Sequence, residues 1–145
     1  STAADVVIQT CVIPANVFAP GDVLRFRVYG TATHPYQLGS TLQFWIKNGA
    51  AKIFSVVITP GTGLNNTPFF FEGELTVRTV GASGSIFGAG VARLQINSLA
   101  GYVVSAGGSS GCNTTNTLNI SMGFVYSNSS ASNSLTAQTA TLVWE

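Results

Sequence analysis

Apolar and polar residues alternate along most of this chain, which is the pattern of β-strands that bury one face. The clearest run lies between Val23 and Gly30. Its alternate positions are apolar at Leu24, Phe26 and Val28 and polar or aromatic at Arg25, Arg27 and Tyr29. This run is therefore predicted to be a strand whose apolar side faces a core.

The same alternation recurs to the end of the chain, interrupted by turn residues. The run 42–47 ends at Asn48-Gly49, which is a strong signal for a tight turn. Further strands are predicted over residues 6–12, 52–59, 69–78, 85–97, 118–126 and 135–144. Polar stretches rich in Gly, Ser or Asn at 60–68, 106–116 and 127–134 are interpreted as loops. No window carries the 3.6-residue spacing of an amphipathic helix.

Two of these strands contain details that bear on packing. In the first strand, Val6, Ile8 and Val12 are predicted to share one face. In the strand 85–97, Gly88 and Gly90 predict a bulge or the close approach of another backbone. Both features concern which residues of the strand face the core and how closely the core can pack there.

Eight or nine strands without helices between them predict an all-β fold. Parallel neighbours need long crossover connections, usually helical, so the sheets are expected to be antiparallel. One apolar face per strand predicts two sheets packed as a single β-sandwich with a jelly-roll-like arrangement over residues 1–145. The predicted core comprises Leu24, Phe26, Val28, Leu42, Phe44, Ile46, Phe69, Phe71, Leu75 and Val77.

Composition narrows the possible partners. Of the 145 residues, 46% are apolar and only 8% are charged, whereas a soluble domain usually has about 25% charged residues. The formal net charge of +1 leaves no basic stripe for nucleic acid. The longest apolar runs are far shorter than the roughly 20 residues of a membrane-spanning helix. We therefore expect neither a nucleic-acid nor a membrane partner. The N-terminus also lacks signal-peptide features. Ser1-Thr2 is expected of a small protein that has lost its initiator methionine, and a cut domain or a processed precursor would begin in the same way.

The two cysteines, Cys11 and Cys112, do not form the dense framework of a disulfide-stabilised domain. A bridge between them would close a long loop and could stabilise the fold. Two unpaired thiols are equally compatible with the sequence, so the pairing is left open.

Candidate catalytic residues are few. His34 lies in Thr33-His34-Pro35 and is predicted to be an exposed turn residue. A Ser-His-Asp triad requires an oriented base, and neither Asp5 nor Asp22 accompanies a recognisable nucleophile. One histidine and two distant cysteines are also too few for a zinc site. We therefore expect no cofactor and no metal.

Glu72 and Glu74 have a spacing close to that of the carboxylates in inverting glycosidases. Two carboxylates on one side of one strand point the same way, however, instead of facing each other across a cleft. Arg25 and Arg27 repeat the same spacing on another strand, which predicts a charge ladder or a salt bridge between subunits. The chain is accordingly predicted not to be an enzyme.

Large aromatic residues on the polar sides of strands predict a protein interface. Aromatic residues and Arg are enriched at interfaces, whereas Lys and Glu are depleted. The candidate interface residues are Tyr29, Trp45, Phe70, Arg25, Arg27, Glu72, Glu74 and Arg78.

Three stretches, 13–30, 40–49 and 67–84, share a recognisable pattern. The first is a strand ending at Gly30, the second turns at Asn48-Gly49, and the third runs from Pro68-Phe69 through Leu75-Thr-Val-Arg to a Gly-x-x-Gly turn. Together they resemble a β-sandwich family of virion structural proteins from tailed bacteriophages. The resemblance covers about the first 90 residues, and its motif residues are structural rather than catalytic.

Members of that family include capsid decoration (cement) proteins and the heads of fibres and tail appendages, often as trimers. With no shaft before the first strand, the resemblance implies a decoration protein. It would be a homotrimer bound to the major capsid protein on the virion surface after synthesis in the bacterial cytoplasm. The alternatives are a fibre or appendage head that binds a host receptor, and a small carbohydrate-binding module. Either would place an aromatic residue in an open groove flanked by Asn and Asp.

Overall fold

A computed structural model describes residues 3–96 and 101–145 of the chain. This part contains nine β-strands and no helix. The strands are β1 Val6–Ile13, β2 Val23–His34, β3 Leu42–Asn48, β4 Ala51–Ile58, β5 Leu64–Thr79, β6 Ser85–Gln95, β7 Gly101–Gly111, β8 Leu118–Tyr126 and β9 Ser134–Trp144.

The strands form two antiparallel sheets packed as a β-sandwich, which confirms the predicted fold class. The four-stranded sheet has the order β1-β8-β3-β4, and the five-stranded sheet has the order β7-β6-β5-β2-β9. Strands that follow each other by hairpins, β3–β4 and β5–β6–β7, stay within one sheet. The other connections pass from one sheet to the other, so residues distant in sequence become neighbours in both sheets.

The core lies between the inner faces of the sheets, and all ten residues predicted for it are buried. Its centre is a group of phenylalanine rings contributed by both sheets. The Phe71 ring centroid lies 5.0 Å from that of Phe26 and 5.2 Å from that of Phe44. Phe54 of β4 reaches Phe26 at 5.8 Å across the sandwich. Aromatic contacts of this kind add to the free energy gained by burying the rings.

Glycines on the inner face of the five-stranded sheet provide space for these rings. A Cβ on Gly88 would lie 2.8 Å from the Phe54 ring, and one on Gly90 would lie 2.9 Å from Phe26 Cζ. The pairing of β5 with β6 runs through both glycines without a register shift. The alternative of a bulge is therefore wrong here, but the predicted approach of another backbone is confirmed at Gly90, where a Cβ would lie 2.8 Å from the Glu72 carbonyl oxygen. At Gly88 the nearest groups are core side chains.

Two segments predicted as loops are parts of strands. β5 begins at Leu64, because the start of this strand pairs with the end of β2, where Ala32 is opposite Thr67. β7 covers 101–111, and its glycines pair with β6, where Gly108 is opposite Gly88. A Cβ on Gly108 would lie 2.6 Å from the carbonyl oxygen of Ile53, so a glycine is needed at this crowded position. The predicted end of β6 at Asn97 lies outside the described residues.

The first strand changes its inward side at a bulge. The pairing of β1 with β8 shifts register between Val7 and Gln9. Because a bulge inserts one extra residue, the positions beyond it change sides. Ile13 is consequently buried and Val12 is 62% exposed. The prediction that Val12 shares a face with Ile8 is therefore wrong.

Both cysteines are unpaired thiols. Cys112 is buried against the core and Cys11 is partly buried beside it. Burial raises the pKa of the Cys112 thiol, because the thiolate would lose its hydration.

Candidate functional site

Each sheet has one outer face, and the candidate interface residues are divided unequally between them. We call the outer face of the five-stranded sheet the ladder face, after Arg25, Arg27, Glu72 and Glu74. We call the outer face of the four-stranded sheet the valine face, after Val7, Val12 and Val57. Seven of the eight interface candidates lie on strands β2 and β5 of the ladder face, and Trp45 lies on β3.

The ladder is formed within one chain. Arg25 is opposite Glu74 and Arg27 is opposite Glu72 in the pairing of β2 with β5. The two Nε–Oε2 distances are 3.2 Å and 3.3 Å, and Arg25 Nη1 also lies 3.3 Å from Glu145 Oε2. The arginine side chains are about 60% exposed, so each pair contributes at most about 1 kcal/mol. These charges are already paired without a second subunit.

An open groove of about 670 Å³ crosses the ladder face. Its lining includes residues of all five strands, from Thr141 on β9 to Ser105 on β7. The outward side chains of the lining belong to two rows of the sheet, and Phe26, Gly73 and Gly90 line the groove from the row between them. In one row Arg27 is opposite both Thr141 and Glu72, and Glu72 is opposite Val91. The groove therefore runs across the strands, with the ion pairs in its floor.

An aromatic pair stands beside this groove in the next row of the sheet. The Tyr29 and Phe70 rings are stacked, with centroids 5.3 Å apart and planes inclined by 14°. Arg27 connects this pair to the groove, because its Cζ lies 5.9 Å from the Phe70 centroid. Both rings are partly exposed, as predicted for outward-facing aromatic residues.

Arg78 occupies a separate place on the ladder face. It lies at the far end of β5, with its Cζ 4.6 Å from the centroid of the Phe87 ring. A cation–π contact at this distance is favourable by about 0.5–1 kcal/mol at an exposed site. Arg78 does not line the groove.

Trp45 corrects the predicted exposure of the third aromatic residue, since its side chain is only 2% exposed although it points out of the core. Gly123 is its neighbour on β8, and a Cβ there would lie 2.3 Å from Trp45 Cζ2. Lys47 covers the ring with its Nζ 4.2 Å from the centroid. The indole thus lies over the glycine, and its Nε1 is buried without a hydrogen-bond partner in the described part of the chain.

Three valines on that outer face are exposed, beside polar residues such as Thr10 and Ser121, whose hydroxyl oxygens are 3.0 Å apart. Val7, Val12 and Val57 are 56%, 62% and 44% exposed. Lys47, the cation that covers Trp45, forms an ion pair with Asp5. The valine face therefore combines exposed apolar side chains with a buried tryptophan, and its central cation is already paired.

His34 is buried, which corrects its prediction as an exposed turn residue. Its side chain bridges two loops, with Nδ1 2.8 Å from Asn133 Oδ1 and Nε2 2.8 Å from Ser40 Oγ. The ring also stacks on Tyr126 at a centroid distance of 4.9 Å. The Ser–His–Asn order resembles a catalytic arrangement. However, His34 is 1% exposed and Ser40 is 6% exposed, so a substrate cannot reach the hydroxyl as the chain is folded.

The described residues contain no group of three or more His, Cys, Asp or Glu side chains that could hold a metal ion. No helix in the same part of the chain is long and apolar enough to cross a membrane.

No protein-family model, curated protein or solved structure matches this chain. Functional inference therefore depends on the resemblance in the sequence and on the two outer faces.

Proposed function

We propose that this chain is a non-enzymatic structural protein of a tailed-phage virion. In this role it decorates the outer capsid surface, binds the major capsid protein and stabilises the shell. The observation that carries the proposal is the valine face, a broad sheet surface suited to contact with another protein. The resemblance of residues 13–84 to phage virion β-sandwich proteins supports the choice of partner.

The valine face has the composition of a protein contact surface. Its exposed valines lie on the two edge strands, β1 and β4, so they frame the face. Trp45 lies flat between them over Gly123 and leaves no protruding ring. Apolar contact area with few unpaired charges lowers the desolvation penalty of docking. Many identical copies on one lattice would make a modest affinity per copy sufficient.

A trimer around a symmetry axis of the shell is part of this proposal. The intrachain pairs of Arg25 and Arg27 leave no requirement for charge pairing between subunits. Tyr29, Phe70 and Arg78 stay predicted contact residues, since their side chains are accessible on the ladder face. Closed symmetry would bury the same patch on every copy. In sedimentation, such a trimer has three times the 15.0 kDa mass of the chain.

The proposal is tested by adding the purified chain to undecorated capsids of the phage that encodes it. Wild-type chain should occupy the shell in electron micrographs and raise the temperature at which the capsid opens. The double variant Val7→Asp/Val12→Asp should bind about tenfold or more weakly, because it places two charges in the contact.

Val143→Asp is the matched control, since Val143 is 49% exposed but lies on the ladder face. It should bind like wild type. Undiminished occupancy of the Val7/Val12 variant would contradict the role of the valine face, and loss of occupancy with Val143→Asp would move the contact to the opposite sheet. Failure of the wild-type chain to bind any capsid would reject the decoration role.

A further inference from the structure

We infer that the groove across the ladder face is a binding site for an extended, uncharged glycan chain. Capsid binding through the valine face does not require this groove, but the trimer contact proposed through Tyr29 and Phe70 adjoins it, so a glycan and a partner subunit would compete for those two rings. The capsid test addresses the valine face, and the glycan test addresses the groove. The inference rests on three observations: the groove crosses the strands, its floor carries hydrogen-bonding side chains, and the backbone beneath it is already hydrogen-bonded to neighbouring strands.

The dimensions of the groove suit a chain rather than a compact ligand. It is lined from Thr141 on β9 to Ser105 on β7, so it spans all five strands. At the usual strand spacing this distance is about 19 Å, the length of several sugar units. The groove is open to solvent, which allows a polymer to enter from the side. Its volume of about 670 Å³ is within the range of ligand sites.

The floor offers hydrogen bonds with little net charge, since two arginines stand beside three glutamates and leave a formal charge of −1. Arg27 uses Nε in its pair with Glu72 Oε2, and Arg25 is paired with Glu74 and Glu145. A guanidinium has five N–H donors and a carboxylate has about four acceptor positions, so donors and acceptors are left over on each pair. Sugar hydroxyls both donate and accept, and they match planar groups that present both functions side by side. The ion pairs also hold these groups in place before a ligand arrives, which lowers the entropy lost on binding.

Other classes of polymer fit the groove less well. An extended peptide binds a sheet through its backbone at an edge strand. Here β2, β5 and β6 are each paired on both sides, so the backbone under the middle of the groove is already hydrogen-bonded. A nucleic acid would need unpaired cations, whereas both arginines of the floor are paired with carboxylates. The groove therefore offers side chains for hydrogen bonding, and its slight negative charge favours a neutral glycan over an anionic one.

Apolar surface next to the polar floor completes the site. Ala89 and Val91 line the groove on β6. The stacked rings of Tyr29 and Phe70 stand in the adjoining row, in contact with Arg27. The C–H faces of sugar rings pack on such apolar and aromatic surfaces, while their hydroxyls bond to the arginine and glutamate side chains. A carbohydrate-binding module is predicted above to place an aromatic residue in a groove flanked by Asn and Asp. In this groove Arg and Glu side chains supply the hydrogen bonds instead.

The test uses a surface array of neutral bacterial, plant and animal oligosaccharides of about four to eight sugars, so that ligands with a Kd up to about 1 mM can be detected. The full chain should retain at least one of them, and calorimetry with that oligosaccharide should give an affinity that is nearly constant between about 50 and 500 mM salt. The double variant Arg27→Leu/Glu72→Leu should bind it about tenfold or more weakly. Because this pair is exposed, the variant should keep the thermal unfolding midpoint of the wild type within a few degrees.

Arg78→Leu is the matched control, since it removes an arginine from the same face outside the groove. It should bind like wild type. Three results would overturn the inference: no neutral oligosaccharide retained, unchanged affinity in the Arg27/Glu72 variant, or an affinity that falls steeply with salt. If nothing is retained and the same variant alters the sedimentation of the chain, the groove is a contact between copies.

Discussion

The two outer faces of this sandwich show how differently one sequence pattern can be used. On the ladder face, Tyr29 and Phe70 remain accessible, and the neighbouring charges pair across β2 and β5. On the valine face, Trp45 follows the same alternation but is covered, and the exposed large apolar side chains are valines. The first face presents hydrogen-bonding groups around an open groove, and the second presents exposed apolar side chains.

The difference comes from the residue on the neighbouring strand. Beside Tyr29 stands another aromatic residue, Phe70, so both rings stay upright and stack. Beside Trp45 stands Gly123, so the indole lies down onto the backbone. In these two cases the cross-strand neighbour decides whether an outward aromatic ring is accessible: an aromatic neighbour leaves the ring exposed, and a glycine allows the ring to pack onto the sheet.

The largest expected effect concerns the core on which both faces rest. Phe26 is 2% exposed and contacts Phe71 and Phe54, which come from the two sheets. Phe26→Ala should lower the free energy of unfolding by about 3–5 kcal/mol, because it leaves a cavity at the centre. Urea unfolding followed by tryptophan fluorescence measures this loss. Phe87→Ala, on the outer face, is the control and should cost clearly less. A loss below about 1 kcal/mol for Phe26→Ala would show that the faces do not share this core.

The next effect compares the two outward aromatic residues directly. Trp45→Ala should lower the free energy of unfolding by about 3 kcal/mol, whereas Tyr29→Ala should lower it by about 1 kcal/mol, since Tyr29 is partly exposed. Trp45→Phe should be milder than Trp45→Ala, because it keeps a ring and removes an indole N–H without a partner. Chemical denaturation of the three variants is sufficient. Equal losses for Trp45→Ala and Tyr29→Ala would remove the distinction between the faces.

A third prediction concerns Tyr126, a buried residue whose hydrogen bond joins the two sheets away from both outer faces. Burial raises the pKa of Tyr126, whose hydroxyl donates to the Ser134 carbonyl oxygen at 2.8 Å. Above the ordinary tyrosine pKa of 10.0 the unfolded chain loses this proton and the folded chain keeps it. The free energy of unfolding should therefore fall as the pH rises above about 10, by at most about 1.4 kcal/mol per pH unit. Denaturation at several alkaline pH values measures the slope.

Tyr126→Phe is the matched variant for this slope. It should lower the free energy of unfolding at neutral pH by about 1 kcal/mol, through loss of the hydrogen bond, and should flatten the alkaline decrease. The raised pKa of Cys112 adds a decrease of the same sign that begins above the ordinary thiol value of 9.0, and Cys112→Ala should remove it. An unchanged slope in Tyr126→Phe would assign the alkaline loss to other groups.

The smallest effect is the strength of the ladder itself. A double-mutant cycle on Arg27 and Glu72 should give a coupling energy of about 0.2–1 kcal/mol, because both side chains are accessible to water. The coupling should decrease as salt is added. A coupling above about 2 kcal/mol that resists salt would mean that the pair is buried in an assembly, and the ladder face would then be a subunit contact.

Much of the fold could be predicted from the sequence. The alternation along β2, β3 and β5 identified ten core residues, since a residue two positions along a strand returns to the same face. The matched spacing of Arg25 and Arg27 with Glu72 and Glu74 also predicted a ladder. That prediction succeeded because opposite charges at facing positions of two neighbouring strands attract each other, and this attraction does not depend on the rest of the fold. The sequence could not say whether the ladder lay within one chain or between subunits.

The remaining features depended on neighbours far away in the chain. The bulge in β1 changes the side of Val12 by inserting one residue, which no alternation records. In β7, Gly108 is required because Ile53 and Phe54 lie against its inner side, whereas the composition of the strand is typical of a loop. His34 is buried because Ser40 and Asn133 meet its two nitrogens, and the groove exists because five strands place two rows side by side. The sequence by itself determined which residues alternate and, along the regular strands β2, β3 and β5, which of them face the core, because that property is local. The tertiary structure alone decided which outward residues are covered, paired or open to a ligand, because each depends on the residue that the sheet places beside it.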